Sequence, residues 1–440
     1  MPLCIVKNHM SLNSWLAAAN GGRTDFPIQN LPYGVFRTAG GASIGVAIGD
    51  RILNLRACAE AGLLNPDLAS ACGSESLNAL MALGPQHWSA LRHRLIELLA
   101  EGSREQALVE PHMAPMKDAV MRLPAVIGDY SDFFASLDHA SNAGSLFRPG
   151  EPLYPNYKYV PIGYHGRAST IVISATPVRR PCGQTAGASF GALFSATRAL
   201  DYEMEVGAFV GVGNRWGEPV PIDDAASRIF GLCLLNDWSA RDIQAWESQP
   251  LGPFLAKSFA TSLSPWVVPM EALEPFRVPA FARAEGDPAP LPYLYSKADQ
   301  ERGGIDLTVE VWLATRKMRE AGAGPVRLSR GHFRDLYWTV AQLLTHQTSN
   351  GCNLRPGDLL GSGTISGQAP GSGTAFGTGT APESRGCLLE ITSRGREPIL
   401  LPNGEQRRFL EDGDEVILRG YCARDGQVRI GFGECRGTVG

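Results

Sequence analysis

Two carboxylates set two residues apart inside an apolar run constrain this chain more than any other feature. The run is Asp201-Tyr202-Glu203-Met204-Glu205-Val206-Gly207-Ala208-Phe209-Val210. Its residues favour a strand, and in a strand Glu203 and Glu205 leave the same face, about 7 Å apart. Like charges that close repel. Either that face meets water or a cation lies between the carboxylates. Further on, the apolar strand Gly231-Leu232-Cys233-Leu234-Leu235-Asn236 ends in Asp237, and Arg241 follows one helical turn beyond. Lys257 closes the stretch behind Pro250-Leu251-Gly252-Pro253-Phe254. Together these residues read as half of a site for a hard cation, with cationic side chains beside it.

The frame around this stretch is large. A chain of 440 residues exceeds one ordinary core and predicts two domains. A net charge of −4 gives no electrostatic reason to expect nucleic acid or an anionic membrane as partner. Composition, 44% apolar and 19% charged, excludes long disorder, and 50 glycines with 31 prolines suit strands and turns better than helices. The nine cysteines are scattered, with no Cys-x-x-Cys pair, which fits reduced thiols better than a disulfide framework or a zinc site. No apolar segment follows basic residues at the start, and no run of about 18 apolar residues occurs. The expectation is a soluble, cytoplasmic protein.

Residues 1–118 form the smaller expected domain. Gly49-Asp50 between apolar runs predicts a hairpin, and Leu77–Leu83 and Trp88–Leu99 carry apolar residues at helical spacing. His87 and His93 beside those helices read as structural or solvent-facing. Residues 119–440 form the larger domain. Asp129 or Ser131 is placed to cap a helix ending at Gly144, and on it Asp132 and His139, two turns apart, share a face. By themselves these two residues read more readily as a helix N-terminal aspartate and an exposed histidine. Strands are expected at Gly163–Arg167, Ile171–Ile173, Ile305–Leu313, Leu359–Leu360, Leu388–Ile391, Gly413–Leu418 and Val428–Phe432. Ser329 is placed to cap a helix with Phe333, Leu336, Tyr337, Val340, Leu343 and Leu344 along one stripe, and His346 makes a helix-terminal contact. The Gly/Ser/Thr-rich segment through Ser384 lacks the lysine of a phosphate cradle and reads as a flexible surface loop.

Long ordered motifs carry a resemblance. They are Asn30-Leu31-Pro32-Tyr33-Gly34-Val35-Phe36, Gly163-Tyr164-His165-Gly166-Arg167, Asn236-Asp237-Trp238-Ser239-Ala240-Arg241-Asp242-Ile243-Gln244, Pro250-Leu251-Gly252-Pro253-Phe254-Leu255, Asn353-Leu354-Arg355-Pro356-Gly357-Asp358 and Gly363-Thr364-Ile365-Ser366-Gly367. Through them nearly the whole chain resembles the fumarylacetoacetase family. The resemblance implies a mainly β (α+β) fold, a small SH3-like N-terminal barrel followed by a large β-rich C-terminal domain. It implies hydrolysis of the carbon–carbon bond of 4-fumarylacetoacetate in tyrosine, and hence phenylalanine, catabolism, by a homodimer.

Residue by residue, the resemblance implies metal ligands at Asp132, Glu203, Glu205 and Asp237. Four carboxylates without thiolate or imidazole select Mg²⁺ or Ca²⁺. His139 becomes the base that takes a proton from water, with Glu390 behind it, and Arg241, Gln244 and Lys257 serve the developing charge. Arg148, Tyr164 and Thr364 match substrate-holding positions. Ala260 and Thr261, just after Lys257, match contacts near a second cation. Phe134 and Ser248 depart from the pattern, standing where the family has substrate-binding tyrosines. The loop before Glu390 is longer than the family's, which leaves Glu383 as a competitor; Glu390 is preferred because a strand would hold it. Within enzymes the alternative is a related acylpyruvate hydrolase or β-keto-acid decarboxylase, which keeps Glu203, Glu205 and Asp237 but does not need the segment from Asp132 to His139. From another class, the alternative is a non-catalytic Ca²⁺-stabilised binding module.

Overall fold

The computed structural model describes residues 12–22, 24–187, 191–367 and 382–440. Near the N-terminus the strands Tyr33–Thr38, Gly41–Ile48, Arg51–Asn54, Met113–Pro115 and Met121–Arg122 form one antiparallel sheet. Its last strand thus lies a few residues beyond 118. The hairpin expected at Gly49-Asp50 is there, and Gly49 adopts φ of 57°, a left-handed conformation open to glycine. On the helix Pro85–Leu99, Leu91, Leu95 and Leu98 recur at helical spacing and are fully buried against Val35, Ile44, Val46 and Leu53 of the sheet.

The C-terminal part is built on a mixed sheet. Along it, in order, lie Gly163–His165, Tyr130–Phe133, Leu359–Gly361, Met204–Val210, Ile229–Asp237, Thr261–Leu263 and Ile171–Ile173, with Val268–Pro269 pairing to Ile229–Asp237 off this path. A second sheet stacks Val326–His332, Leu307–Ala314, Glu415–Cys422 and Ile430–Thr438. One face of the first sheet, through Val206, Leu232 and Leu234, shares a core with Val309, Val311, Leu418 and Phe432 of the second. Its other face, through Phe209, Phe230, Cys233, Leu235 and Leu359, joins the core of the N-terminal sheet. The central strands are buried on both sides, which is why they read as unbroken apolar runs. Backbone bonds between Tyr33 and Val267, at 2.7 and 2.9 Å, tie the two parts together.

Three local expectations change. Asp132 lies on the strand Tyr130–Phe133, and the helix that follows is Leu137–Phe147, capped by Ser136 rather than Asp129 or Ser131. Asp132 and His139 therefore share no helix. Strand pairing decides this: Asp132 is opposite Gly361 on one side and Tyr164 on the other. Ser329 lies in the strand Val326–His332, paired with Val311; the later helix is Val340–Thr348, closed by a capping box between Thr339 and Gln342. Glu390 sits on a short helix, Leu388–Ile391, not a strand. The Gly/Ser/Thr-rich loop falls for the most part on residues 368–381, outside the described residues.

No helix among the described residues is long and apolar enough to cross a membrane. The described cysteines are free, most of them buried. His87 bonds to the Leu83 carbonyl at 3.0 Å, and His346, in its helix's last turn, meets the Tyr293 hydroxyl at 3.0 Å.

Candidate active site

The face of the mixed sheet that joins the N-terminal core changes character at one end. Tyr130, Leu359, Phe209, Leu235 and Leu263 are apolar core; two residues along the pleat the same face carries Asp132, Gly361, Gly207, Asp237 and Thr261. Glu205 lies on the strand Met204–Val210, and Glu203 just before it, with its N–H bonded to Asn236 Oδ1 at 3.0 Å. Asp132, Glu203, Glu205 and Asp237 are all buried, and one oxygen from each lies within 4.8 Å of the others. Sheet pairing, not sequence distance, brings them together.

Among the described residues, cationic side chains ion-pair with only half of this quartet. Lys257 Nζ ion-pairs with Glu203 and with Asp237, the latter at 2.9 Å, while Arg241 Nη1 donates to Glu203 Oε1 at 2.7 Å. Asp237 also accepts from the Tyr164 hydroxyl at 2.6 Å and the Thr261 hydroxyl at 2.7 Å. Burial works against charge on Glu203, but Lys257 and Arg241 prevail and hold its carboxyl below the usual range. Burial likewise opposes the charge on Lys257, and Asp237 and Glu203 more than restore it, raising its pKa.

Asp132 and Glu205 are in the opposite state. Glu205 Oε2 accepts the Gly363 N–H at 3.2 Å, but Glu205 Oε1 and Asp132 Oδ1 are buried with no hydrogen-bond partner among the described residues. Burial, then the neighbouring carboxylates, push both groups well above the ordinary range. Unpartnered buried carboxylate oxygens are costly. A divalent cation would satisfy them, and an all-oxygen donor set suits a hard ion. The backbone leaves room for it: a Cβ on Gly361 would lie 2.3 Å from Asp132 Oδ1, and Gly363 holds φ of +75° with its Cβ direction blocked by the Phe133 carbonyl. Glycine is needed at both positions.

His139 stands beside this quartet on the first turn of the helix Leu137–Phe147, near enough for its positive form to favour ionised Glu203. Its Nδ1 meets Glu390 Oε2 at 2.7 Å, and both residues are buried. Glu390 is held further by Asn142 Nδ2 at 2.8 Å, Ser366 Oγ at 2.9 Å and Cys387 Sγ at 3.2 Å. Burial raises the Glu390 pKa, but the opposing pull of His139 and these donors leaves it below the ordinary value. Glu383, the competing acid, is exposed. The Phe134 ring packs edge-on against the His139 ring, centroids 5.2 Å apart, so it shields the imidazole.

Other expected positions are less directly engaged. Arg148 ends the helix with its guanidinium on the Pro152 carbonyl at 2.9 Å and over the Tyr154 ring. The Ser248 hydroxyl turns back to the Gln244 carbonyl at 2.5 Å, and Gln244 Oε1 accepts from Arg241 at 3.1 Å. Thr364 Oγ1 and Arg241 Nη2 are buried without a partner among the described residues. Ala260 is buried next to Thr261, whose hydroxyl serves Asp237. Lys257 enters as a counter-charge. Sequence reasoning passed over Asp201, Asn142, Ser366 and Cys387 as site residues, although Asp201, Asn142 and Ser366 stand inside the stretches it singled out.

Comparison with known proteins decides the family. Residues 29–124 match the family described as fumarylacetoacetase N-terminal, and residues 130–440 match fumarylacetoacetate (FAA) hydrolase C-terminal. The chain belongs to the fumarylacetoacetase family. It is 47% identical to a fumarylacetoacetase of Rattus norvegicus, over 94% of this chain and 96% of that protein. Identity to a fumarylacetoacetase of Homo sapiens is 47% with the same coverage, and to one of Oryza sativa subsp. japonica 44%, over 97% of each. A solved fumarylacetoacetate hydrolase from Exiguobacterium antarcticum, 16% identical, superposes over 93% of this chain and 99% of its own with a TM-score of 0.51, which speaks to the fold. Fumarylacetoacetase-family membership makes this an enzyme of the hydrolase class with a β-rich two-domain architecture; the family depends on a divalent metal, and the acidic quartet could hold one.

Proposed function

We propose that this chain hydrolyses 4-fumarylacetoacetate to fumarate and acetoacetate, the last step of tyrosine catabolism. The observation that carries the reading is the buried His139–Glu390 pair, 2.7 Å apart, set beside four converging carboxylates, two of which each keep an oxygen without a hydrogen-bond partner among the described residues.

Hydrolysis of this bond adds one water. Its hydroxyl ends on the fumaryl carbonyl carbon, and a proton ends on the carbon that becomes the methyl of acetoacetate. His139 takes the proton from water at Nε2, because Nδ1 is committed to Glu390, which orients the ring and stabilises its charged form. Asp132, Glu203, Glu205 and Asp237 would hold a divalent ion, and such an ion would supply Lewis acidity to the dicarbonyl part of the substrate. Oxygen-only ligation points to Mg²⁺ or Ca²⁺. Arg241 Nη2 and Thr364 Oγ1, buried and without a partner among the described residues, are donors available to oxygens that gain charge. Tyr164 and Lys257 fix Asp237, so they position the ligand set. Phe134 and Ser248 offer the substrate no phenol, which shifts its polar recognition onto these remaining donors.

The test is consumption of 4-fumarylacetoacetate, followed by its ultraviolet absorbance. Stoichiometric fumarate and acetoacetate are expected; no consumption at any divalent ion concentration would remove the reading.

A homodimer is the assembly proposed with it. Just beyond the Arg241–Glu247 helix, Leu251, Phe254 and Leu255 are exposed apolar side chains, a patch that a second copy would cover. Sedimentation equilibrium should return twice the 47.2 kDa chain mass; a single-chain mass at micromolar concentration would refute the dimer.

A further inference from the structure

Asp201 is fully buried and ion-pairs with neither the histidine nor Lys257. Its carboxylate nevertheless touches both halves of the site. Oδ1 accepts the backbone N–H groups of Leu388 at 2.8 Å and of Tyr202 at 2.9 Å. Oδ2 accepts the Leu389 N–H and Arg241 Nε, both at 2.9 Å. Four donors use the acceptor capacity of a carboxylate in full. Two of them belong to the first turn of Leu388–Ile391, the helix that carries Glu390. A third belongs to the guanidinium whose Nη1 holds Glu203 Oε1. The backbone prepares the same link: Leu200–Asp201 pairs with Ser239–Ala240, directly before Arg241.

We propose that Asp201 is a positioning residue that couples the two halves of the site. One carboxylate sets the turn that places Glu390 behind His139, and the same carboxylate orients Arg241 against Glu203. The catalytic meaning of this tie rests on the reading of His139 as base and Arg241 as donor to developing charge. A carboxylate that merely closed a short helix would be indifferent to what happens at Arg241. A coupling residue would not.

The decisive experiment leaves Asp201 in place. In Arg241→Gln the guanidinium is gone, and hydrogen exchange of the Leu388 and Leu389 amides should speed up about tenfold, because a buried carboxylate left without its counter-charge and without the donor that orients Oδ2 no longer keeps both oxygens on those amides. Amides of the strand Gly41–Ile48 serve as the unaffected reference. Unchanged exchange at Leu388 and Leu389 overturns the coupling. Kinetics give a second readout. Asp201→Asn keeps one oxygen but sets an amide donor against a donor, and kcat should fall about 10²-fold with KM changed less than about threefold. Combined with Glu390→Gln, the loss should be smaller than the product of the two single losses; a full product also overturns the proposal. Should Asp201→Asn not fold, exchange in Arg241→Gln decides alone. The exchange result does not depend on the substrate, so it stands apart from failure of the wild-type enzyme to consume 4-fumarylacetoacetate.

Discussion

The His139→Ala protein should fold as the parent does and turn over 10²–10⁴-fold more slowly, the usual contribution of a positioned general base. The geometry explains why the loss falls on kcat. His139 sits one turn into a capped helix, with its N–H bonded to Ser136 Oγ at 3.1 Å, so the backbone there does not depend on the imidazole. The ring is buried against Phe134 and Glu390, and its removal leaves Glu390 with Asn142, Ser366 and Cys387 as remaining donors. A carboxylate still served by three donors should keep the fold cooperative. Single-turnover kinetics and a thermal melt of the variant check both halves of this statement. Activity at the parental rate would remove His139 as the base, whereas loss of the folded state would show that its role is structural.

Removal of the divalent ion should abolish turnover, and readdition of Mg²⁺ or Ca²⁺ should restore it. With the ion absent, Asp132 and Glu205 keep unpartnered oxygens in a buried site, and burial followed by neighbouring charge drives both toward the protonated form. The ion must therefore compete with protons. The sign follows: raised carboxyl pKa values mean that affinity for the ion weakens as pH falls, and chelation at constant pH takes up protons. Bound ion also stabilises the native state, by about 2.7 kcal/mol at a free concentration of 100 Kd, so the melting temperature should fall on chelation. A calcium-stabilised module without activity would share the melting shift but not the loss of turnover. Normal turnover in the chelated enzyme would eliminate the Lewis-acid role.

Much of this site could be read from the chain because its parts lie in periodic segments. Glu203 and Glu205 announce themselves by their spacing, and Asp237 by its place at the end of an apolar strand buried on both faces. The hairpin at Gly49 and the helix Pro85–Leu99 were legible for the same local reasons. Asp132 was not, as far as its element is concerned. A separation of seven from His139 fits two helical turns, yet pairing to Leu359–Gly361, more than two hundred residues away, makes Tyr130–Phe133 a strand. Glu390 shows the same limit. Its Leu-Leu-Glu-Ile segment has strand character, but Asp201 accepts the Leu388 and Leu389 N–H groups and the segment turns into a helix. Ser329 is claimed by a strand partner at Val311, so the cap passes to Thr339. In each case a long-range hydrogen bond overrides local preference, and one sequence carries no mark of such bonds.

Asp132, Glu203, Glu205 and Asp237 are expected to share one divalent ion next to His139. Anomalous diffraction from a crystal grown with Mn²⁺ or Ca²⁺ tests it most directly. A single strong peak is expected at about 2.0–2.6 Å from an oxygen of each of the four carboxylates. A peak at His139, Cys387 and Glu390 instead, or none among the four acids at saturating ion, would contradict it.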